Sequence, residues 1–319
     1  MPSSTLRNSL FSRQQPGGFW VVSRIEDQPG DIWFVDSGQT TTGGDTVGHG
    51  RNPDEPFLTL DYAIGNCTAN NGDVIYVMQG HAENLAADST VDIDQAGLTV
   101  IGLGKGAARP TFTCTAAAGD FKLAAASTVI ENLLFLNDVD NSTGLLEVSA
   151  ADCKVLNCEF REDDAAKFAD VLLLTTAAAD RLEIADCTFI GNAADGAVSA
   201  IELVGADHCH IHDCYIKGNF DTGAIQYITT PSLLTRIHDC TIWQLDDTAG
   251  AGGVQMILDT ITGSSGVMGP NLNLIGIVDA ANITEAITGA TFNVIDPVYV
   301  VNAVAEKAML INWTASTDA

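Results

Sequence analysis

The chain is 319 residues long and carries 14 Lys plus Arg against 41 Asp plus Glu, a formal net charge of −27, which excludes nucleic acid and anionic membrane as partners. Hydrophobic residues make up 46% of it, enough for a continuous core and too many for extensive disorder. No apolar run reaches the ~18 residues of a membrane span, and Met1 to Arg7 lacks the apolar segment of an export signal, so the eight cysteines are expected to stay reduced.

Residues 1–30 are polar and punctuated by Gln14-Gln15-Pro16-Gly17-Gly18 and Gln28-Pro29-Gly30. They read as an extended N-terminal arm, either frayed or docked on a partner, and the aromatic pair Phe19-Trp20 favours docking. Asp31 to Asp36 is a short strand. The period then changes: Leu60, Ala63, Ile64 and Cys67 recur at i, i+3, i+4 and i+7, which predicts an amphipathic helix near residues 59–69 with Thr59 as N-cap. Its expected task is to close the open end of the body that follows. Strands are predicted at Asp73 to Met78, Leu98 to Gly102 and Thr111 to Cys114.

Within this stretch, Pro56 to Ile64, Gly72 to Val77, Gly80 to Asn84 and Leu98 to Gly102 follow one another in a recognisable order. That order resembles the entry to right-handed parallel β-helices of the pectate-lyase-like superfamily, a pattern also resembled by bacteriophage tailspikes and other virion surface proteins. The resemblance spans about residues 50–265 and speaks for architecture far more than for activity.

From Ser127 to Gln244 one phrase is written five times, as Val129 to Phe135, Lys154 to Phe160, Glu183 to Phe189, His210 to Ile216 and Arg236 to Ile242. Leu133, Cys158, Cys187, Cys214 and Cys240 mark it at steps of 25, 29, 27 and 26 residues, the spacing of a solenoid. Alternation points Ile130, Val155, Ile184, Ile211 and Ile237 inward. Next comes Asn132, Asn157, Asp186, Asp213 or Asp239, residue types that tolerate the left-handed region and bend the strand. The bend resets the parity, so the Leu133-to-Cys240 row also points inward, followed by Phe135, Phe160, Phe189, Ile216 and Ile242. Stacked at about 4.8 Å, the thiols form a row of small core residues without the convergent geometry of a metal site.

A second strand precedes each phrase. Leu146/Val148, Ile201/Leu203, Ile225/Tyr227 and Val254/Met256 are expected to face in, and Glu147, Leu173, Glu202, Gln226 and Gln255 to face out. The outward leucine suggests a covered flank and an oligomer contact. The solenoid is expected to span residues 31–269, with 270–319 forming a C-terminal cap or oligomerisation β-unit.

Chemistry-bearing patterns are few. Glu147 and Glu202 fall two coils apart, about 10 Å, too wide for a retaining glycosidase pair and marginal for an inverting one. Lys154, Lys167, Arg181, Lys217 and Arg236 face no acidic cluster of the kind lyases of this fold use. His208, His210 and His212 alternate along one strand and His238 sits one coil beyond His212, but an extended strand spreads such ligands over about 13 Å, so at most two share an ion. The cluster is expected to be a solvated or interface patch. Ile101 to Gly106 lacks the spacing of a phosphate loop and reads as a turn.

No residue is therefore assigned a catalytic, cofactor-binding or metal-ligating role, and no cofactor is expected. The fold expected is all-β, a right-handed parallel β-helix with an N-terminal capping helix and a C-terminal cap. The function expected is that of a non-enzymatic structural protein of a bacteriophage virion surface, a head decoration or cement protein, assembled in the host cytoplasm. Its partners would be capsid or tail proteins and further copies of itself, with a homotrimer as the candidate form. The alternative is a tailspike-type receptor-binding protein or depolymerase acting on host surface glycan.

Overall fold

A computed structural model of the chain describes residues 11–14, 20–22, 30–162, 169–193, 196–245, 255–261, 263–276, 287–288, 292–295 and 298–302. The polypeptide winds as a right-handed parallel β-helix whose coils contribute one strand each to three parallel sheets of ten, nine and eight strands. We refer to these as the first, second and third sheets, in the order the chain visits them. Among the described residues no helix is long and apolar enough to cross a membrane.

The repeated phrase supplies the first two sheets. In the first, Ile130, Val155, Ile184, Ile211 and Ile237 are direct partners in consecutive strands, and all are fully buried. The expected bends are present: Asn132, Asn157, Asp186, Asp213 and Asp239 have φ of 59°, 50°, 55°, 54° and 52°. Asn and Asp pay less for this left-handed conformation than other residues with a Cβ. Asn132 also uses its side chain there, donating Nδ2–H to the carbonyls of Gly102 at 2.6 Å and Gly104 at 3.0 Å.

After the bend the thiols turn in. Cys158, Cys187, Cys214 and Cys240 each donate Sγ–H to the carbonyl two residues earlier, at 3.3, 3.3, 3.1 and 3.1 Å. Cysteine thus suits this position twice, being small enough for the inside of a corner and carrying a weak donor for the carbonyl at its edge. All eight cysteines are free, and all but Cys67 are buried. The second sheet stacks Phe135, Phe160, Phe189, Ile216 and Ile242 in register, each fully buried and so contributing about 1.5–3 kcal/mol of apolar burial.

The third sheet corrects the sequence reading in two strands. Leu173 pairs with Leu146 and Ile201 and points inward, while Leu174 stands in the outward row between Glu147 and Glu202. Val171 to Leu174 is uninterrupted apolar sequence, so alternation carries no phase there. Likewise Ile257 takes the inward place beside Ile225 and Leu258 the outward place beside Gln226, because the glycine-rich lead into this strand gives no periodic signal. Val254 lies outside the described residues. The alternating positions Leu172, Ala200 and Ala224 are fully buried, so these outward-phase side chains are covered within a single chain, while Leu174 is half-buried.

The capping helix is present but shorter than expected, Leu60–Ile64, burying Leu60, Ala63 and Ile64. It packs against Ile32–Val35, Val74–Val77 and Val91–Ile93, across the first coils. Thr59 makes no side-chain cap; its hydroxyl donates to Asp45 Oδ2 at 2.9 Å. Carboxylates from elsewhere take the orphan amides instead, Asp45 accepting from Leu58 N–H at 2.8 Å and Glu83 from Leu60 N–H at 3.0 Å.

At the far end Leu272–Gly276, Ile287–Thr288, Phe292–Val294 and Val298–Asn302 add to the three sheets, so the solenoid runs beyond the boundary expected at residue 269. Within the N-terminal arm, Phe11–Gln14 and Trp20–Val22 pair antiparallel; the rest of residues 1–29 and residues 303–319 lie outside the described residues.

Candidate metal centre

The outward face of the first sheet gathers side chains that the sequence spreads over 56 positions, from Glu183 to His238. Strands Glu183–Ala185, His210–His212 and Thr235–His238 lie side by side. Their register places Glu183 opposite His210, and His212 opposite His238. With Ile184, Ile211 and Ile237 locked inside, the flanking positions must point out, and strand spacing of about 4.8 Å brings their side chains into contact.

The three imidazoles form one cluster, with ring centroids 4.3 Å apart for His210–His212, 4.8 Å for His210–His238 and 5.3 Å for His212–His238. Nε2 of His210 lies 2.6 Å from Nε2 of His238. Glu183 Oε1 lies 3.3 Å from His212 Nε2, and one ligating atom each from Glu183, His210 and His212 fall within 4.8 Å of one another. Two further carboxylates fix the rings from behind: Asp213 Oδ2 is 2.7 Å from His212 Nδ1, and Asp239 Oδ2 is 2.5 Å from His238 Nδ1. These are the Asp residues of the bends, so the motif that turns the chain also orients the histidine before it.

The electrostatics divide the cluster. Burial, followed by the neighbouring His212 and His238, holds the His210 pKa below that of a free imidazole. Burial also works against the His212 cation, but its hydrogen bonds with Asp213 and Glu183 outweigh it and the pKa rises. Glu183 is held below the usual carboxylate range chiefly by Lys154, whose Nζ is 2.6 Å from Glu183 Oε2; Oε1 is the atom turned to the histidines. Glu183, His210 and His212 offer two nitrogens and one oxygen to a common point, and His238 stands beside them against His210, donor types that suit a zinc-type ion.

The structure brings together more than the strand geometry predicts. His208 does not join the cluster; it is exposed, precedes the strand and has a φ of 59°. His210, His212 and His238 do join, because leaning rings on adjacent strands close the distance that extended backbone opens. Glu183 was not singled out by sequence reasoning. The signal that finds it is register: it stands at the same place in its phrase as His210 does in the next.

The other candidates are used structurally. Glu147 and Glu202 share the outward row of the third sheet, two coils apart as expected, with Leu174 between them. Glu147 Oε1 is 2.9 Å from Lys122 Nζ. Glu202 is 8% exposed and accepts a hydrogen bond from the Ser199 hydroxyl at 3.0 Å; burial raises its pKa. Arg181 forms a two-pronged bond with Asp152, at 2.6 and 2.8 Å, Arg109 and Arg161 both bond Glu159, and Lys217 lies 5.9 Å from the Trp243 ring centroid. Lys167 lies outside the described residues. The loop Gly102 to Arg109 borders a shallow depression of about 360 Å³ with Glu131, Asn132 and Asn157. No α-helix follows this loop to direct its amides at a phosphate.

No protein-family model matches the chain, and no curated protein matches it by sequence. Among solved structures it is similar to a rhamnogalacturonan lyase, at 10% identity and a TM-score of 0.46 over 89% of this chain and 85% of that one. The parallel β-helix stands on the chain's own strand order and register.

Proposed function

We propose that the chain is a non-enzymatic structural protein of a bacteriophage virion surface, a head decoration protein that acts as a homo-oligomer. The observation that carries the non-enzymatic reading is the state of the two outward carboxylates. Glu147 is committed to Lys122 and Glu202 is buried against Ser199, with Leu174 set between them where a sugar ring would have to lie. A general acid and its partner base both need access to the scissile bond. Placement on a phage head rests on the resemblance of residues 50–265 to virion β-helices, and an acidic, stiff rod agrees with it.

Two assays test the reading. Purified chain is expected to co-sediment with particles of its phage stripped of surface proteins, and to elute as a trimer when sized by light scattering. Incubated with capsular polysaccharide of the host, it is expected to release no oligosaccharide. Release that disappears in Glu202→Gln would replace this proposal with the depolymerase alternative.

A further inference from the structure

We propose that Glu183, His210, His212 and His238 bind one divalent transition-metal ion of the zinc class, which clips three successive coils of the first sheet together. The site is independent of where the protein acts, and it stands on four features of its geometry.

First, one ligating atom each from Glu183, His210 and His212, on two adjacent strands, already lie within 4.8 Å of one another outside the sheet, and His238 on the third strand reaches this group through Nε2, 2.6 Å from Nε2 of His210, so an ion held by all four would add a cross-link between three coils. Second, the second-sphere partners are in place. Asp213 and Asp239 each accept a hydrogen bond from Nδ1–H of the preceding histidine, which fixes the rings with Nε2 turned to the site, the arrangement in which a carboxylate orients and strengthens a metal-bound imidazole; an incoming ion replaces the proton that His212 Nε2 donates to Glu183 Oε1. Third, the distances are close to those a bound ion requires. Tetrahedral coordination at about 2.0–2.1 Å separates ligand atoms by about 3.3 Å. Glu183 Oε1 and His212 Nε2 are already 3.3 Å apart; the hydrogen-bonded Nε2 atoms of His210 and His238, 2.6 Å apart, need to open by about 0.7 Å to reach that separation. Fourth, the donors discriminate. Three imidazoles and one carboxylate suit zinc, cobalt or nickel and reject calcium and magnesium, which take oxygen. With all four protein ligands engaged no position is left for substrate or water, so the ion's part is structural. Lys154 and the neighbouring Arg236 bring positive charge to the rim, balanced by Glu183, Asp213 and Asp239.

The test uses the full chain, stripped with chelator and titrated with Co²⁺ and Zn²⁺. One Co²⁺ per chain is expected, with the intense visible bands of a tetrahedral centre, displaced by Zn²⁺; Ca²⁺ is expected not to compete. His212→Ala and His238→Ala should abolish the bands, Asp239→Asn should weaken binding by about 10–100-fold, and His208→Ala should bind as the parent chain does. Circular dichroism checks that each variant is folded, and Glu183→Gln, nearly isosteric and on the surface, reads the site without disturbing the core. Absence of saturable uptake by the parent chain overturns the proposal. So does uptake that survives unchanged in folded His212→Ala, His238→Ala and Glu183→Gln.

Discussion

Replacing Phe160 with Ala should remove the keystone of the inner stack. Its ring is fully buried and lies nearly parallel to two neighbours, 4.9 Å and 11° from Phe135 and 4.6 Å and 4° from Phe189. Phe→Ala in a packed core costs about 3–5 kcal/mol. Each lost ring pair is worth about 0.5–1.5 kcal/mol beyond area, which places Phe160→Ala in the upper part of that range. A loss near 4–5 kcal/mol is a large share of the about 5–15 kcal/mol that a folded domain holds. Solenoid stability is a sum of coil and interface terms, so the loss should appear as earlier unfolding of the central coils, followed by urea titration with far-ultraviolet circular dichroism. Tyr215→Ala is the matched control. Tyr215 opens a strand of the same sheet but points out and is 36% exposed, and its removal should cost no more than about 1 kcal/mol. Equal losses for the two variants would refute the assignment of inward and outward faces on which the description of the fold depends.

Three smaller predictions concern single groups. Asn132→Gly keeps the left-handed bend and loses the two hydrogen bonds to Gly102 and Gly104, whereas Asn132→Ala loses the bonds and strains the bend as well; thermal melting should rank Asn132→Ala below Asn132→Gly by about 1 kcal/mol. Burial raises the folded-state pKa of Glu202 above its unfolded value, so folding opposes its ionisation: the penalty is absent below the unfolded pKa and grows as pH rises through the folded one. Glu202→Gln should accordingly stabilise the protein at pH 7 and make no difference at pH 3; no gain at pH 7 would show that the carboxylate is not desolvated. Burial pushes the Cys158 and Cys209 thiols up to about 12, which lowers the thiolate fraction about a thousandfold near pH 8. Alkylation of the native protein should therefore be slow, and eight thiols should titrate after denaturation without reductant; markedly fewer would mean disulfides.

Much of the fold was legible because three physical signals repeat together. The inward Ile130-to-Ile237 row, the Asn or Asp bends and the aromatic row recur at one phase, and each is forced by a different requirement: apolar burial, left-handed backbone and stacking. Where only one signal existed, the reading slipped. Val171 to Leu174 is apolar on both faces because its outward side is covered, so Leu173 and Leu174 cannot be told apart by alternation. The helix was legible in its buried positions Leu60, Ala63 and Ile64 but not in its capping, since Asp45 and Glu83 reach the amides from 14 and 23 residues away. The histidine centre was only half legible. His210, His212 and His238 are visible as a pattern, but the convergence of His210 and His212 with Glu183 depends on register between coils and on ring tilt, which local spacing does not encode.

The proposed role of this β-helix as a structural element on a phage head is tested by a cryo-electron microscopy reconstruction of particles from a phage that carries the chain. Ten strands in the longest sheet span roughly 43 Å at about 4.8 Å per step. Rod-shaped density of that length is expected at symmetric sites on the capsid surface, lost from particles in which the gene is deleted. Purified particles that lack the chain, or that carry it only at the tail tip, would contradict it.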